Sequence, residues 1–508
     1  MTRYLYGAAV QGIQSFIFQT NQLKEIVGAS ELVEMVCTEL FAGQIGKRWT
    51  DLDKDPNAIL NAAGNIKYVF EDKELCGKVF RNFPKAVMEA APGITISQAL
   101  VEFDGEFGEA IDELEKKLRA KRNRPSQSIT IGNMGIQRSR KTGLPAVFAG
   151  CDGDKDEMEF LDSSSYRKRK AQKDSRLYEK AVDTDIREKY KRVYDIEDMT
   201  LKNDWIAIIH ADGNGLGQVV RNIGKNPQKF REFSRKLDEA TTSSAKHAIR
   251  SMQGATNEKY LPVRPVILGG DDLTVIIRGD LAVDFAKEFM EEFERQTKAL
   301  LAPIDPSLSD GLTACAGIAF IKSSFPYYYG YNLAEELCSA AKKDAKDFRK
   351  EGVSCLMFHK VQDSFVASYD DISSRELSAG DNISFKFGPY YLESNIPKGR
   401  WTISMLEDTV RELDNEDGNV VKSGIRQWLG ILSGSHNLAK GVQKIERMKE
   451  IAGVKQKELI SKLTNGVSRK VKSEKGNTED GKSKEVDLTS FPAYDILSLH
   501  SIMFQKTK

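Results

Sequence analysis

The sequence predicts an α+β protein in which two copies of one folding unit precede a helical region. The order strand, helix, hairpin, helix, strand occurs twice, first over residues 1–120 and again over residues 201–370. Residues 371–508 change to the apolar spacing of amphipathic helices. The repeated β-α-β-β-α-β order is the ferredoxin-like arrangement of palm domains. The predicted fold is therefore two ferredoxin-like palm domains, a connector over residues 121–200, and a carboxy-terminal helical domain.

Composition sets limits on compartment and partners. The chain of 508 residues has 75 Lys and Arg against 74 Asp and Glu, so any nucleic-acid contact must come from a local basic patch. The six cysteines are scattered without a CxxC pair, which argues against a disulfide framework and a zinc ribbon and favours a reducing cytoplasm. Neither a signal peptide nor an apolar run of about 18 residues is present, so no membrane association is predicted.

The first unit has the predicted elements but lacks acidic residues at its turns. Its elements are a strand, a helix, a hairpin, a helix and a strand at residues 4–10, 23–45, 58–70, 74–90 and 94–103. The hairpin tip over residues 62–65 reads Ala-Ala-Gly-Asn, and the first strand ends in Val10-Gln-Gly without an Asp. This copy is predicted to be degenerate, without metal ligands.

The connector contains a dense basic segment at residues 163–176. One interpretation is a contact with RNA or polyphosphate. The preferred alternative is a solvated helix face, balanced by the acidic stretch at residues 152–159.

The second unit carries acidic residues at the tip of its hairpin. Two β-branched apolar runs, residues 266–268 and 273–277, flank Gly269-Gly270-Asp271-Asp272. Glycine tolerates the positive φ of such turns and leaves room for phosphates to approach the backbone. Adjacent carboxylates at the tip repel each other unless a cation is bound, and Mg²⁺ prefers such ligands. The alternative is an ordinary solvated turn, where Asp and Gly are common.

A second acidic motif ends the first strand of this unit. The strand at residues 205–210 leads into Asp212, Gly213, Asn214 and Gly215, whose backbone N–H groups could form an anion-binding concavity. In the ferredoxin-like arrangement Asp212 lies beside the hairpin tip, so three carboxylates can converge on metal. The remaining predicted elements are helices at residues 228–252, 281–301 and 333–346 and strands at residues 312–321 and 355–358. The tyrosines of residues 327–331 could stack on a base, although packing is the preferred interpretation.

The last region is predicted to be helical. Helices are expected at residues 401–413, 419–432 and 438–463, with Asn419 as an N-cap, and a last short helix at residues 491–504. The Lys/Glu/Gly/Ser-rich residues 464–486 are expected to be disordered.

These motifs together resemble a known family. ADGNGLG (211–217), LGGDDL (268–273), AGIAF (316–320) and ELCSAAKKDAK (336–346) are similar to the catalytic palm of the large subunit of type III CRISPR effector complexes, a cyclic oligoadenylate synthetase related to GGDEF-type nucleotide cyclases. The opening at residues 4–18 and LKEIVGASELVE (23–34) resemble that family's first palm. The resemblance implies a nucleotidyltransferase in antiviral defence that converts NTPs, ATP above all, into a cyclic product with release of pyrophosphate.

The resemblance also implies roles for particular residues. Asp212, Asp271 and Asp272 would bind Mg²⁺ or Mn²⁺, and Asn214 stands where a second Asp often occurs. Lys342 matches the family's phosphate-contacting lysine, with Lys346 one turn on as the substitute; either could instead be an ordinary exposed helix lysine.

In the resembled family the first palm helps to hold the acceptor nucleotide, which makes Gln14 and Ser15 candidate contacts. Simple helix capping is an equal alternative for them. The family's connector often holds a zinc module; only Cys151 remains here, so no zinc is predicted. No His-Asp pair occurs, so no HD nuclease is predicted.

Two other functions stay open at this point. The chain could be a non-catalytic subunit that holds RNA and other effector-complex subunits, or a diguanylate cyclase acting as a GGDEF-like homodimer. Intact Asp212, Asp271 and Asp272 argue against the first alternative. Two unlike palms in one chain argue against the second, because they suggest an intramolecular pair.

Overall fold

The computed structural model describes residues 2–62, 64–124, 134–151, 158–200, 204–255, 259–350, 352–363, 368–380, 382–393, 395–435, 438–477 and 483–504. Within these residues the fold has two palm sheets, a connector packed on the first palm, and a mixed carboxy-terminal region. The predicted α+β class with two palms is confirmed.

The first palm is a four-stranded sheet with the strand order β2-β3-β1-β4, in which every neighbouring pair is antiparallel. Strand β1 lies between β3 and β4, and almost all of its side chains are buried. The predicted elements are present, and α5 is additional; its buried Phe107, Ile111, Leu114 and Leu118 have the spacing of an amphipathic helix. The elements are β1 (Arg3–Gln11), α1 (Ile13–Ile17), α2 (Leu23–Met35), a π-helical turn (Val36–Leu40), α3 (Phe41–Gln44), β2 (Ala58–Ala62), β3 (Asn65–Phe70), α4 (Lys73–Ala90), β4 (Thr95–Phe103) and α5 (Phe107–Arg122).

The connector packs tightly on the first palm through α6 and α2. An ideal Cβ placed on Gly28 of α2 would lie 1.7 Å from the carbonyl oxygen of Lys168, so the two helices approach at a distance that only glycine allows. Asp162 caps α6 by accepting hydrogen bonds from the backbone N–H groups of its first turn. The connector elements are β5 (Ala146–Cys151), β6 (Met158–Asp162), α6 (Ser163–Ala171), α7 (Arg176–Ala181) and α8 (Thr184–Lys189).

The basic segment at residues 163–176 binds the first palm. Lys168 is 1% exposed, and its Nζ donates to the carbonyl of Phe16 at 2.6 Å. Burial lowers the pKa of Lys168 to about 8. The predicted solvated face is therefore wrong for this lysine, because its ammonium group has a partner inside the protein.

Two arginines of the same segment form ion pairs. Arg169 pairs with Glu25 of the first palm and with Glu159, at 3.0 and 2.6 Å. Arg176 pairs with Glu39 at 2.7 Å. The predicted balance by nearby acidic residues thus applies to Glu159, whereas residues 152–157 lie outside the described residues.

The second palm repeats the strand order of the first. Its core β8-β9-β7-β10 corresponds to β2-β3-β1-β4, and the same sheet continues through β11, β14 and β15 to a total of seven strands. The sheet thus extends beyond the boundary predicted at residue 370, because β14 and β15 are too short to show a period of two in the sequence. The elements of this palm up to that point are β7 (Trp205–Gly213), α9 (Leu216–Ile223), α10 (Pro227–Ser251), β8 (Val263–Gly269), β9 (Asp272–Arg278), α11 (Ala282–Leu301), β10 (Ala314–Lys322), α12 (Tyr327–Phe348) and β11 (Cys355–Lys360).

The carboxy-terminal region is mixed. A four-stranded sheet has the order β12-β13-β17-β16 beside the predicted helices. The elements are α13 (Tyr369–Arg375), β12 (Ser378–Ala379), β13 (Ile383–Ser384), β14 (Tyr390–Tyr391), β15 (Trp401–Thr402), α14 (Ile403–Asp414), α15 (Glu416–Ser435), α16 (Leu438–Ile451), α17 (Val454–Thr464), β16 (Val467–Asn477), β17 (Ser483–Ser490) and α18 (Ala493–Met503). No helix in these described ranges is long and apolar enough to cross a bilayer.

Two expectations for this region are wrong. The prediction of disorder over residues 464–486 fails where β16 and β17 pair antiparallel, and β17 is fixed by a parallel pairing of Thr489 with Ile383. The composition of the segment could not show this long-range pairing. The predicted N-cap at Asn419 is also wrong, because α15 begins at Glu416; the side chain of Asn415 accepts a hydrogen bond from the N–H of Gly418 at 2.8 Å.

Candidate active site

Three carboxylates meet where β7 ends beside the β8–β9 turn. Asp212 lies on β7, one residue after Ala211, which pairs with Leu273 of β9. Asp271 and Asp272 lie at the tip, where Gly269 pairs with Asp272 and Gly270 has a φ of 64°. One carboxylate oxygen from each of the three residues lies within 4.8 Å of the others. This spacing would let all three bind one hard cation.

Glycine at position 213 favours this convergence. A Cβ added there would lie 2.6 Å from Leu216 Cδ1 and 3.1 Å from the Cβ of Asp271. A side chain would therefore displace Leu216 and crowd the hairpin tip. At Gly215, which precedes α9, φ is 75° and turns the chain away from the strand direction.

Helix α10 and the connector hold the hairpin turn in place. The N–H of Gly270 donates to the carboxylate of Asp238 at 3.3 Å, and its carbonyl accepts from the Thr241 hydroxyl at 2.6 Å. Lys180 of α7 pairs with Asp238 at 2.9 Å and donates to the carbonyl of Leu268 at 3.3 Å. These three supporting residues were missed by sequence reasoning, because isolated polar residues on helices have no motif that distinguishes them.

Lys342 of α12 is the lysine that reaches the acidic cluster. Its Nζ donates to the Asp212 carboxylate and, at 2.8 Å, to the carbonyl of Gly213. Lys346, one turn further along α12, is exposed. The structure thus brings Lys342 to the cluster and leaves Lys346 outside it.

Asn214 is directed into the protein, whereas the sequence predicted that it would contact a nucleotide. The residue is 2% exposed, and its amide donates to Thr313 Oγ1 at 2.9 Å and to the carbonyl of Val353 at 3.4 Å. Its backbone N–H donates to the carbonyl of Thr313 at 2.8 Å. The predicted nucleotide contact by Asn214 is therefore wrong for this conformation, since both groups bind neighbouring strand segments.

The acidic cluster has strongly perturbed ionisation. Burial, the hydrogen bond with Asp212 and the charge of Asp272 raise the pKa of Asp271 to about 8. Burial and the charge of Asp212 raise the pKa of Asp272 to about 7. Burial also acts to raise the pKa of Asp212, but hydrogen bonds from Asp271 and the charge of Lys342 outweigh it and hold that pKa below its usual value. Without a cation, the cluster therefore retains protons near neutral pH.

These pKa values predict how pH and metal affect stability. The folded protein favours protonated Asp271 and Asp272, so this stabilisation is complete below the ordinary carboxyl pKa and is lost as pH rises through about 7 to 8. We expect the unfolding midpoint of metal-free protein to fall over this range. Added Mg²⁺ should raise the midpoint by a few degrees at alkaline pH and by less at acidic pH, because protons compete with metal.

Differential scanning fluorimetry at an acidic and at an alkaline pH, each with and without Mg²⁺, measures this effect. The variant Asp271→Asn/Asp272→Asn serves as the control and should lose the Mg²⁺ effect. An equal Mg²⁺ shift at both pH values would show that the cluster does not bind the ion.

The first palm approaches the cluster through α1. Gln14 and Ser15 are exposed on this helix, which follows Gly12 at a φ of 60°. Phe18, just after α1, stacks on Tyr331 of α12 with ring centroids 4.6 Å apart. Burial raises the pKa of Tyr331, and the charges of Glu335 and Asp272 act in the same direction. The end of α1 and Asp272 of the acidic cluster therefore both lie close to Tyr331.

The tyrosines of residues 327–331 divide between packing and exposure. Tyr327 and Tyr331 are buried, as the preferred packing interpretation predicted, whereas Tyr328 is 41% exposed. Tyr328, Ser15, Gln19 and Lys141 help to line an open cavity of about 730 Å³ between the first palm, the connector and α12. This cavity is in the size range of small-molecule sites.

An acidic triad at the tip of a ferredoxin-like sheet, with a lysine beside it, defines a palm of the nucleotidyl-cyclase type. Residues 205–349 match the family model described as Cas10/Cmr2, second palm domain. The resemblance that the motifs predicted is thus confirmed for the second palm, which matches the corresponding domain of the large subunit of type III CRISPR complexes. A comparison of the sequence with curated proteins finds no match.

Solved structures share the fold over nearly the whole chain. Csm1 of T. onnurineus is 13% identical with a TM-score of 0.53, and the alignment covers 99% of this chain and 69% of that one. A Csm1–Csm4 cassette in complex with cA4 gives the same identity, TM-score and coverage. The same cassette in complex with one ATP has 13% identity, a TM-score of 0.52 and coverage of 99% and 69%.

Proposed function

We propose that the chain is a metal-dependent nucleotidyltransferase that converts ATP into a cyclic oligonucleotide in antiviral defence. The observation that carries this proposal is the triad of Asp212, Asp271 and Asp272, whose oxygens lie within 4.8 Å of one another. The pKa values of Asp271 and Asp272 are raised, because ionised carboxylates held this close in a half-buried site are costly unless a cation neutralises them. Oxygen ligands of this kind suit Mg²⁺ or Mn²⁺.

The three carboxylates would hold the cation, and a cation bound there would lower the pKa of an attacking ribose hydroxyl and stabilise charge on the pyrophosphate. The hydroxyl oxygen bonds to the α-phosphorus of a second ATP. The bond between that phosphorus and the oxygen bridging to the β-phosphate breaks, and pyrophosphate leaves. Each bond formed releases one pyrophosphate and one proton. Ring closure repeats this step within one molecule.

Lys342 and the surrounding backbone would place the triphosphate. Its ammonium group already lies on Asp212 and on the carbonyl of Gly213, so it could contact a phosphate oxygen at the same point. Of the glycines at these turns, Gly215 is exposed and Gly270 is half-buried, so their backbone is accessible to phosphates. This kind of catalysis depends on positioning and electrostatics, and it needs few side chains.

The acceptor nucleotide would occupy the cavity beside α1. Exposed Tyr328 offers a ring for base stacking, and Lys141 supplies a positive charge close to Ser15. Gln14 on the same helix would complete the contact. We place the acceptor here because this cavity joins α1 of the first palm, which carries Ser15, to the start of α12, which carries Tyr328.

The solved relatives support the proposal of ATP as substrate and of partner subunits. One has cA4 bound and another has ATP, and both are complexes of Csm1 with Csm4. We therefore propose that this chain acts on adenine nucleotides and assembles with other effector-complex subunits and RNA. These ligands favour the synthetase over a diguanylate cyclase.

The test is to incubate the protein with each NTP and Mg²⁺ or Mn²⁺ and to resolve the products by mass spectrometry. The assay is repeated with partner subunits and target RNA. A cyclic adenylate product would support the proposal, whereas a product formed only from GTP would favour the diguanylate cyclase. If no NTP is converted in either assay, the synthetase proposal is wrong and the scaffold function is favoured.

A further inference from the structure

A second charged cluster lies at the opposite end of the catalytic sheet from the acidic triad. Lys322 ends β10 and pairs in register with Trp205 at the start of β7, seven residues before Asp212. At ~3.3 Å per residue along a strand, this end is about 23 Å from the triad. Lys360 ends the neighbouring strand β11. The cluster is therefore separate from the proposed active site.

The positive groups here are close together. The Nζ atoms of Lys322 and Lys360 lie 4.3 and 4.6 Å from the centre of the Trp205 ring. Burial and then the charges of Lys322 and Arg426 lower the pKa of Lys360 to about 8. Like charges held together in this way cost free energy unless an anion neutralises them.

Two of the positive groups, Lys360 and Arg426, lack an acidic partner within the described chain. Among the described residues no carboxylate forms an ion pair with either of them, and Lys360 Nζ donates to the neutral hydroxyl of Ser501 at 2.5 Å. Glu376 lines the same space, but it lies 3.9 Å from His359 Nε2. Burial raises the pKa of Glu376, which weakens it as a counter-charge.

A cavity of about 390 Å³ opens between these side chains. Lys360 and Gln362 line it from the palm, Arg426 and Ser433 from α15, and Ser498 and Ser501 from α18. Hereafter it is called the palm–helix cavity. Its volume is in the range of sites that hold a nucleotide-sized ligand.

The chemistry of the lining indicates the ligand. An ammonium group, a guanidinium group and serine hydroxyls supply the donors that phosphate oxygens accept. Tyr494 also lines the cavity, and its hydroxyl accepts from Gln362 Nε2 at 3.1 Å, so its ring is held at the wall. An aromatic ring beside cations suits a base attached to a phosphate.

We propose that the palm–helix cavity binds a phosphate group, carried either by a free nucleotide or by a nucleic-acid strand. The cavity joins the end of the catalytic sheet to helices α15 and α18 of the carboxy-terminal region. A ligand bound there would therefore connect the second palm with that region. This proposal is independent of the chemistry at the acidic triad.

The test measures binding to the full chain in EDTA, which removes divalent cations and so suppresses nucleotide binding at the triad. The probes are pyrophosphate and ATP, followed by calorimetry, and a short fluorescent single-stranded RNA, followed by anisotropy. Adenosine serves as the phosphate-free probe. We expect the phosphate probes to bind, adenosine to bind poorly, and affinity to fall as salt rises.

The variants assign the binding to this cavity. Arg426→Ala should weaken phosphate binding about tenfold, since it removes one charged hydrogen-bond donor from an exposed position. Lys360→Gln should have a similar effect, and Lys360→Arg, which keeps the charge and controls for misfolding, should retain binding. Arg447→Ala on α16 is the matched control, because this exposed arginine does not line the cavity.

The pattern of probes identifies the source of the phosphate. Binding of pyrophosphate and ATP that depends on Arg426 would support a free-nucleotide site. Binding of RNA alone, with the same dependence, would support a strand-binding site. The proposal is wrong if no phosphate probe binds, or if Arg426→Ala and Arg447→Ala bind equally well.

Discussion

Replacing Asp271 and Asp272 together by asparagine is expected to abolish nucleotide condensation. The substitution keeps the shape of both side chains but removes the charges that hold the cation, so we expect the rate to fall by about a thousandfold or more. The measurement is pyrophosphate release from ATP under the conditions in which the wild-type protein is active. The fold should survive, because the substitution relieves repulsion within a half-buried cluster of acids.

A matched control exists elsewhere in the chain. Asp370 and Asp371 are also adjacent aspartates, and they are exposed in the first turn of α13. Their replacement by asparagine should leave the rate within a factor of about two, since surface changes of this kind have small effects. If the Asp271→Asn/Asp272→Asn variant keeps more than a tenth of the wild-type rate, the triad is not the catalytic centre.

The second large effect is expected for Lys342→Met. Methionine preserves the apolar stem but removes the ammonium group that contacts Asp212 and Gly213. We expect the rate to fall about a hundredfold and the Mg²⁺ concentration needed for activity to change, because both the triphosphate and Asp212 lose a positive partner. Steady-state kinetics with varied ATP and varied Mg²⁺ separates these two contributions.

Two neighbouring lysines provide the comparison. Lys343 and Lys346 are both exposed on α12. Lys343→Met should be neutral, and Lys346→Met should have at most a small effect. A large loss with Lys346→Met and none with Lys342→Met would show that Lys346, and not Lys342, contacts the phosphate.

Much of the fold could be predicted because the long strands and helices have a clear hydrophobic period and their order along the chain specifies the topology. The buried run of β7 and the apolar face of α11 are visible in the sequence, and their order defines the ferredoxin-like unit. Helix α5 has a similarly clear pattern. Strands β14 and β15 have two residues each, so they contain no period to detect.

The part of the site that could be predicted is the part whose backbone position is determined by the sequence motifs. Asp212 and the hairpin tip converge because strand order places them side by side. Asn214 shows the limit: two residues after Asp212 it would share the same face if the strand continued. The strand ends at Gly213 and the chain turns at Gly215, so the Asn214 side chain is directed into the protein instead.

The long-range supports of the site could not be predicted. Lys180 and Asp238 pair across 58 sequence positions, and together they hold the hairpin turn. Lys168 was part of a basic run that composition alone assigns to the surface. Its burial depends on close packing against Gly28, which becomes visible only when the helices are placed together.

The most direct test of the central claim is a titration of the wild-type protein with Mn²⁺, followed by electron paramagnetic resonance, with and without a non-hydrolysable ATP analogue. This measurement does not depend on an activating partner. We predict that Mn²⁺ binds at neutral to alkaline pH, that the analogue tightens its binding, and that Asp271→Asn/Asp272→Asn loses both effects while Asp370→Asn/Asp371→Asn keeps them. Equal Mn²⁺ binding by the two double variants would contradict a metal site at the triad and, with it, the proposed nucleotidyl transfer.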